Sequence, residues 1–213
     1  MKLNLDKLRN TLRTTLIDIW EYVIPIWKIS GLFKSIKSKK DLENFIQERS
    51  AHVTQTTLYG YLKTRIGTRY TAMIQDEKFS DSINIAKWNI YVASIADLTL
   101  YVFSYLINKK NLKKNEAEDV FNSIINNEIK NGLDEKISDV AKKDFSSRAK
   151  SANWQRLHLE NPFYNSGMAL YKWSPIAEEL KVLDKEIVLN SIKLKWNIVE
   201  NEFKNLTKDL NFS

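Results

Sequence analysis

Between Ile90 and Ile107 the chain runs for eighteen residues with a single charge, Asp97, and that run constrains the fold more than any other feature. A stretch so long and apolar either spans a bilayer or forms the central helix of a bundle. Asp97 decides between them. At mid-membrane a carboxylate costs about 2.5–3.5 kcal/mol even on the most lenient insertion scale. Ser94, Thr99, Ser104 and neighbouring tyrosines dilute the run further. A protein core can instead pair the carboxylate with a donor. The run is therefore expected to be a buried central helix. The preceding stretch from Leu42 to Ile66 is also apolar on several sides, and a polar break near Gly67–Asp81 separates the two. Together they predict an antiparallel helical hairpin from Leu42 to Ile107.

The rest of the chain agrees with that class. Five glycines and three prolines in 213 residues are too few for the closely spaced turns of a β-sandwich or barrel. The absence of cysteine excludes disulfides, thiolate catalysis and Cys-ligated zinc. With no Gly/Ser- or Pro-rich linker, the expectation is an all-α single domain, a bundle of six to seven helices around the hairpin. It divides into an N-terminal amphipathic segment (1–40), the hairpin (41–108), shorter helices with an irregular loop (109–173) and a C-terminal heptad-patterned helix (174–212).

In the N-terminal segment Leu5, Leu8, Leu12, Leu16, Ile19, Trp20, Val23 and Trp27 form one apolar face, with Pro25 expected to kink it. Acidic residues interrupt any signal-peptide core. The aromatic and then basic stretch 16–40 is a candidate for peripheral membrane contact, weighed against simple packing on the core. The hairpin's first helix is expected to start at Asp41, and the second at Ser80 or Ser82. Gly60, in a helix interior, is expected to accept a large neighbour, with Trp88 facing it. Asn131-Gly132 should end a helix, residues 146–173 read as irregular, and Ser174 with Pro175 should open the last helix. There, Leu189, Ile192, Trp196, Val199, Phe203, Leu206 and Leu210 alternate steps of three and four, a heptad seam. It would pack within the molecule or support a homodimer through 189–210.

Candidate chemistry lies inside the hairpin. Arg49, His52, Thr56, Tyr59 and Lys63 share one helical face. If the chain reverses near residues 73–74, facing residues have numbers summing to about 148. Asp97 then meets the turn bearing Arg49 and His52, which predicts an Asp97–Arg49 or Asp97–His52 pair. Such a cluster is either a structural network or a catalytic one, with His52 as general base, Asp97 orienting it, Arg49 holding an anion and Tyr59 nearby. A second candidate is His158 with Ser166, in the irregular loop. No nucleotide-binding, metalloprotease or hydrolase-elbow motif is present, and neither histidine has di-iron spacing, so no cofactor and no metal are expected.

A formal charge of +7 suggests acidic partners. Lysine outnumbers arginine 26 to 7, the bias an AT-rich genome imposes, so the retained arginines are the more informative. Arg65, Arg69, Arg148 and Arg156, with Trp154, are candidates for binding a partner or an anion. Interleaved tyrosines at 59, 61 and 70 admit a nucleic-acid reading, though no recognised nucleic-acid motif accompanies them.

The stretches SAHVTQTTLYGYLKTRIGTRY, SINIAKWNIY and WSPIAEELKVLDKEIVLNSIKLKW resemble those of a small family of uncharacterised bacterial helical proteins. The resemblance covers most of residues 42–203 and implies a bacterial origin. Some members carry an esterase label, for which this sequence holds no supporting motif. The expected function is a non-enzymatic accessory or scaffold protein binding a protein partner, in the cytoplasm or at the inner membrane face. The alternatives are a small esterase-like hydrolase and a nucleic-acid binder.

Overall fold

A computed structural model describes residues 35–110 and 115–208. The Pro25 kink, most of the 16–40 membrane candidate, and Leu210 of the heptad seam lie outside the described residues. Among those described, the chain forms seven α-helices: α1 (Lys39–Ile66), short α2 (Tyr70–Ile74), α3 (Glu77–Lys110), α4 (Asn115–Lys130), α5 (Glu135–Ser151), α6 (Tyr164–Trp173) and α7 (Glu178–Leu206). Two 3₁₀ turns, Gly67–Arg69 and Leu157–Leu159, complete it, and no strand occurs among the described residues. The architecture is the all-α bundle that the sequence predicts.

Each helix begins and ends where local chemistry allows. Ser38, not Asp41, caps α1. Its hydroxyl accepts from Asp41 N at 3.1 Å while the Asp41 carboxylate accepts from Ser38 N at 3.0 Å, a reciprocal capping box. At the other end the chain leaves α1 through Gly67 at φ +59°, a conformation suited to glycine. Asp76 accepts from Phe79 N at 2.9 Å, so α3 begins a turn earlier than its serines suggest. Gly132, at φ +102°, ends α4 as expected.

α3 is the axis of the bundle. Ile90, Ile95, Leu98, Tyr101, Val102 and Leu106 are all fully buried. The helix is long and apolar enough to cross a membrane, but 83% of its most hydrophobic window is buried within the fold. The hairpin register is the predicted one: Thr54 Oγ1 donates to Ser94 Oγ at 3.1 Å, and those residue numbers sum to 148.

Three expectations fail in instructive ways. Trp88 does not cover Gly60, because a Cβ built on Gly60 meets nothing within 4 Å. The stretch 146–173 is largely helical, being shared among α5, the 3₁₀ turn and α6. Ser174 belongs to the end of α6, where its hydroxyl donates to Leu170 O at 2.6 Å, and α7 opens only at Glu178. Ile176 packs against the core between them, which uses the extra residues. The inner seam of α7 then closes the bundle. Ile192, Trp196, Val199 and Phe203 are buried, Phe203 lies 5.4 Å from Phe45, and Trp196 stacks on Phe163 at 4.4 Å. These four seam positions are thus used within the molecule.

Candidate functional site

Buried carboxylates tie the other helices to the hairpin, and they take up several of the residues singled out for chemistry. Asp97 pairs with neither Arg49 nor His52. Its Oδ1 lies 2.5 Å from Arg148 Nη2 on α5, and its Oδ2 accepts from Ser166 N on α6 at 2.7 Å. Asp97 thereby caps a helix 69 residues away in sequence, supplying the acceptor that α6's own N-cap, Phe163, lacks. The Ser166 hydroxyl donates to Phe163 O and accepts from the Trp196 indole, both at 3.0 Å. Burial pushes the Asp97 carboxyl above its usual range, while Arg148 and the Ser166 hydrogen bonds oppose the shift. Both oxygens are engaged and the side chain is fully buried, so a substrate has no route to it.

Arg49 reaches the opposite helix instead. Its Nε and Nη2 donate to the two oxygens of Glu202 on α7 at 2.7 and 2.6 Å, a bidentate pair with the guanidinium fully buried. His52, one turn along α1, is half-buried. Its pKa falls to about 4, through burial first and then the positive charges of Lys195 and Arg49. A base that weak is poorly matched to general-base work near neutrality. Tyr59 is partly buried against the core.

Nor do His158 and Ser166 meet. His158 Nδ1 lies 2.9 Å from Ser104 Oγ, and Ser104 is a partner that sequence neighbourhood could not reveal. The same hydroxyl donates to Trp154 O at 2.8 Å and accepts from His158 N at 3.0 Å. A serine has one proton to give. With it directed at Trp154 O, the imidazole must donate to the oxygen, the reverse of nucleophile activation. Ser104 is also fully buried.

The arginine candidates disperse. Arg65 on α1 forms a two-point ion pair with Asp184 on α7, which also accepts from Tyr61 Oη at 2.9 Å. Arg148 serves Asp97, and Arg156 makes an exposed pair with Glu160 at 3.0 Å. The Trp154 indole donates to Ala149 O at 3.1 Å, and Arg69 is exposed in the first 3₁₀ turn. They do not form one anion site. Sequence reasoning overlooked Asp184, Glu202 and Glu128. The last accepts from Gln47 Nε2 at 2.5 Å and Tyr91 Oη at 2.9 Å. For Asp184 a signal was available: continuing the apolar line from Ile192 through Val188 back one more turn lands on a carboxylate.

What the structure offers instead is a cleft of about 310 Å³ between α1 and α7. Its α1 wall is Thr56, Thr57, Gly60, Tyr61, Thr64 and Arg65; its α7 wall includes Asp184, Ile187, Val188, Ser191 and Lys195. The threonine hydroxyls donate within α1, Thr56 to His52 O at 2.8 Å, Thr57 to Val53 O at 2.7 Å and Thr64 to Gly60 O at 2.8 Å. Their donors are spent. Arg65, Tyr61 and Asp184 engage one another, so apart from the Lys195 ammonium the cleft presents mostly small and aliphatic surface. Gly60 sits in its wall with open space in front. A glycine inside a helix costs about 1 kcal/mol relative to alanine, and no internal neighbour accounts for this one. An apolar side chain from outside would. Among the described residues no group of three or more His, Cys, Asp or Glu is placed to hold a metal ion.

Compared with protein-family models, curated proteins and solved structures, the chain matches none of them.

Proposed function

We propose that the protein is a non-enzymatic accessory or scaffold protein, working in the cytoplasm, that receives a protein partner on the outer face of α7 and in the adjoining cleft. One observation carries this reading. Opposite its buried seam, α7 exposes Leu180, Leu183, Ile187, Leu194 and Ile198, each between 40 and 76% accessible. Single exposed aliphatics need no explanation, but a stripe of them along one helix marks an interaction surface. Ile187 belongs to both the stripe and the cleft, so the two form one continuous surface. The hydrolase alternative gains no comparable support, since each candidate histidine lacks a usable nucleophile or a suitable basicity.

The test is affinity capture from native lysate, with soluble and membrane fractions kept apart, comparing wild type with Leu194→Asp. Leu194 is 65% exposed, so the substitution leaves the core intact. The expected outcome is a partner retained by wild type and reduced at least ~10-fold on the variant. The same proteins retained equally by both would contradict the reading.

A further inference from the structure

Four residues of the outer stripe of α7, Leu183, Ile187, Leu194 and Ile198, have an internal symmetry that identifies what fits them, Leu180 lying outside the pattern. Counting outward from the midpoint between Asn190 and Ser191, Ile187 and Leu194 are equidistant, and so are Leu183 and Ile198. The spacings run four, seven, four and read the same in both directions. Such a pattern matches a second copy of itself laid antiparallel about a twofold axis, each residue meeting its mirror position. Leu183 then faces Ile198 of the second copy, and Ile187 faces Leu194 of the second copy. The axis falls between Asn190 and Ser191, where small polar residues suit close approach.

The charges are compatible with the same axis. On one flank of the stripe lie Glu186 and Lys193, both exposed. A twofold axis normal to the two helices keeps that flank beside its own copy. Glu186 therefore comes within two residues of the level of Lys193 of the second copy, and the contact occurs twice. The other flank carries the cleft, and Leu194 of the second copy sits over Ile187 at its mouth, toward the open space before Gly60.

We infer that the partner received by this face is a second copy of the chain, in an antiparallel, twofold α7–α7 pairing that places Leu194 of each copy at the other's cleft. This rests on the reading of the face as a docking surface and names its occupant. The inner heptad seam plays no part, being spent within each bundle.

Sedimentation equilibrium of the full chain tests the idea through its charges. The expected result is a dimer for wild type, a dissociation constant at least ~10-fold weaker for Glu186→Lys, and recovery to within about threefold in Glu186→Lys/Lys193→Glu. Self-complementarity alone predicts rescue by the swap, and failure of rescue overturns the pairing. Because the chain has no cysteine, Asn190→Cys supplies a unique thiol at the axis. Oxidation should cross-link it to its twin, whereas Asp139→Cys on α5, also exposed, should not. A monomer at all concentrations with no Asn190→Cys cross-link would overturn the inference. If Leu194→Asp still lost a partner from lysate, the docking reading would survive with a different occupant.

Discussion

At the scale of single residues, Asp97 shows how a carboxylate inside an apolar run is accommodated. Arg148 neutralises it, and it in turn supplies the missing cap of α6. Removing one partner leaves the other charged and buried, which typically costs ~3–5 kcal/mol. Asp97→Ala and Arg148→Ala should each lower urea stability by about that much, and the double variant should lose clearly less than the sum. Additive losses would show that the pair is not coupled. His52 makes the complementary case. Its folded pKa lies near 4, below the ordinary 6.5, so between those values the unfolded chain takes up a proton that the fold refuses. Stability from this residue is present above pH ~6.5 and is lost toward pH 4, by up to ~2 kcal/mol once solvent screening of the partly exposed ring is discounted. The difference in stability between wild type and His52→Gln should therefore change with pH across that window, and a constant difference would contradict it. The sequence made the level of Asp97 along the hairpin legible, since Thr54 and Ser94 meet at the expected register. The expected partners, Arg49 or His52, were wrong, because the actual one comes from α5, 51 residues on.

At the scale of elements, helices with long apolar runs or a periodic face were readable and those stabilised from afar were not. The hairpin follows from its two apolar stretches and the polar break between them, and the inner seam of α7 from apolar spacing. α6 does not, because its N-terminus depends on Asp97 and its packing on Trp196. The start of α7 was misplaced for a similar reason: serine before proline suits a helix start, but here the serine hydroxyl closes the preceding helix. Gly60 is the element-scale anomaly. With nothing within 4 Å of the position an added methyl would take, Gly60→Ala should stabilise the free protein by ~0.5–1 kcal/mol. Chemical denaturation measures this directly. A loss of stability would mean that the glycine answers an internal need, and the cleft would lose its claim to an external occupant.

At the scale of the molecule, polar and apolar residues have exchanged the roles that composition suggests. The buried charges are structural. Arg49–Glu202 and Arg65–Asp184 clamp α7 across α1, while Arg148–Asp97 fastens α5 to the axis of the bundle. In the function proposed above, the exposed aliphatics of α7 are the working surface. Of the cluster read from the sequence, Arg49 and Asp97 are buried, but they do not meet, and their pairing with other helices became visible only once three further helices were in place. The measurement that separates interior from surface most directly is partner capture set beside folding stability for two variants, Asp97→Asn and Leu194→Asp. Asp97→Asn should lose stability and keep its partner, while Leu194→Asp should keep its stability and lose its partner. Loss of partner in a folded Asp97→Asn protein, with Leu194→Asp unaffected, would place function in the core and contradict this division of roles.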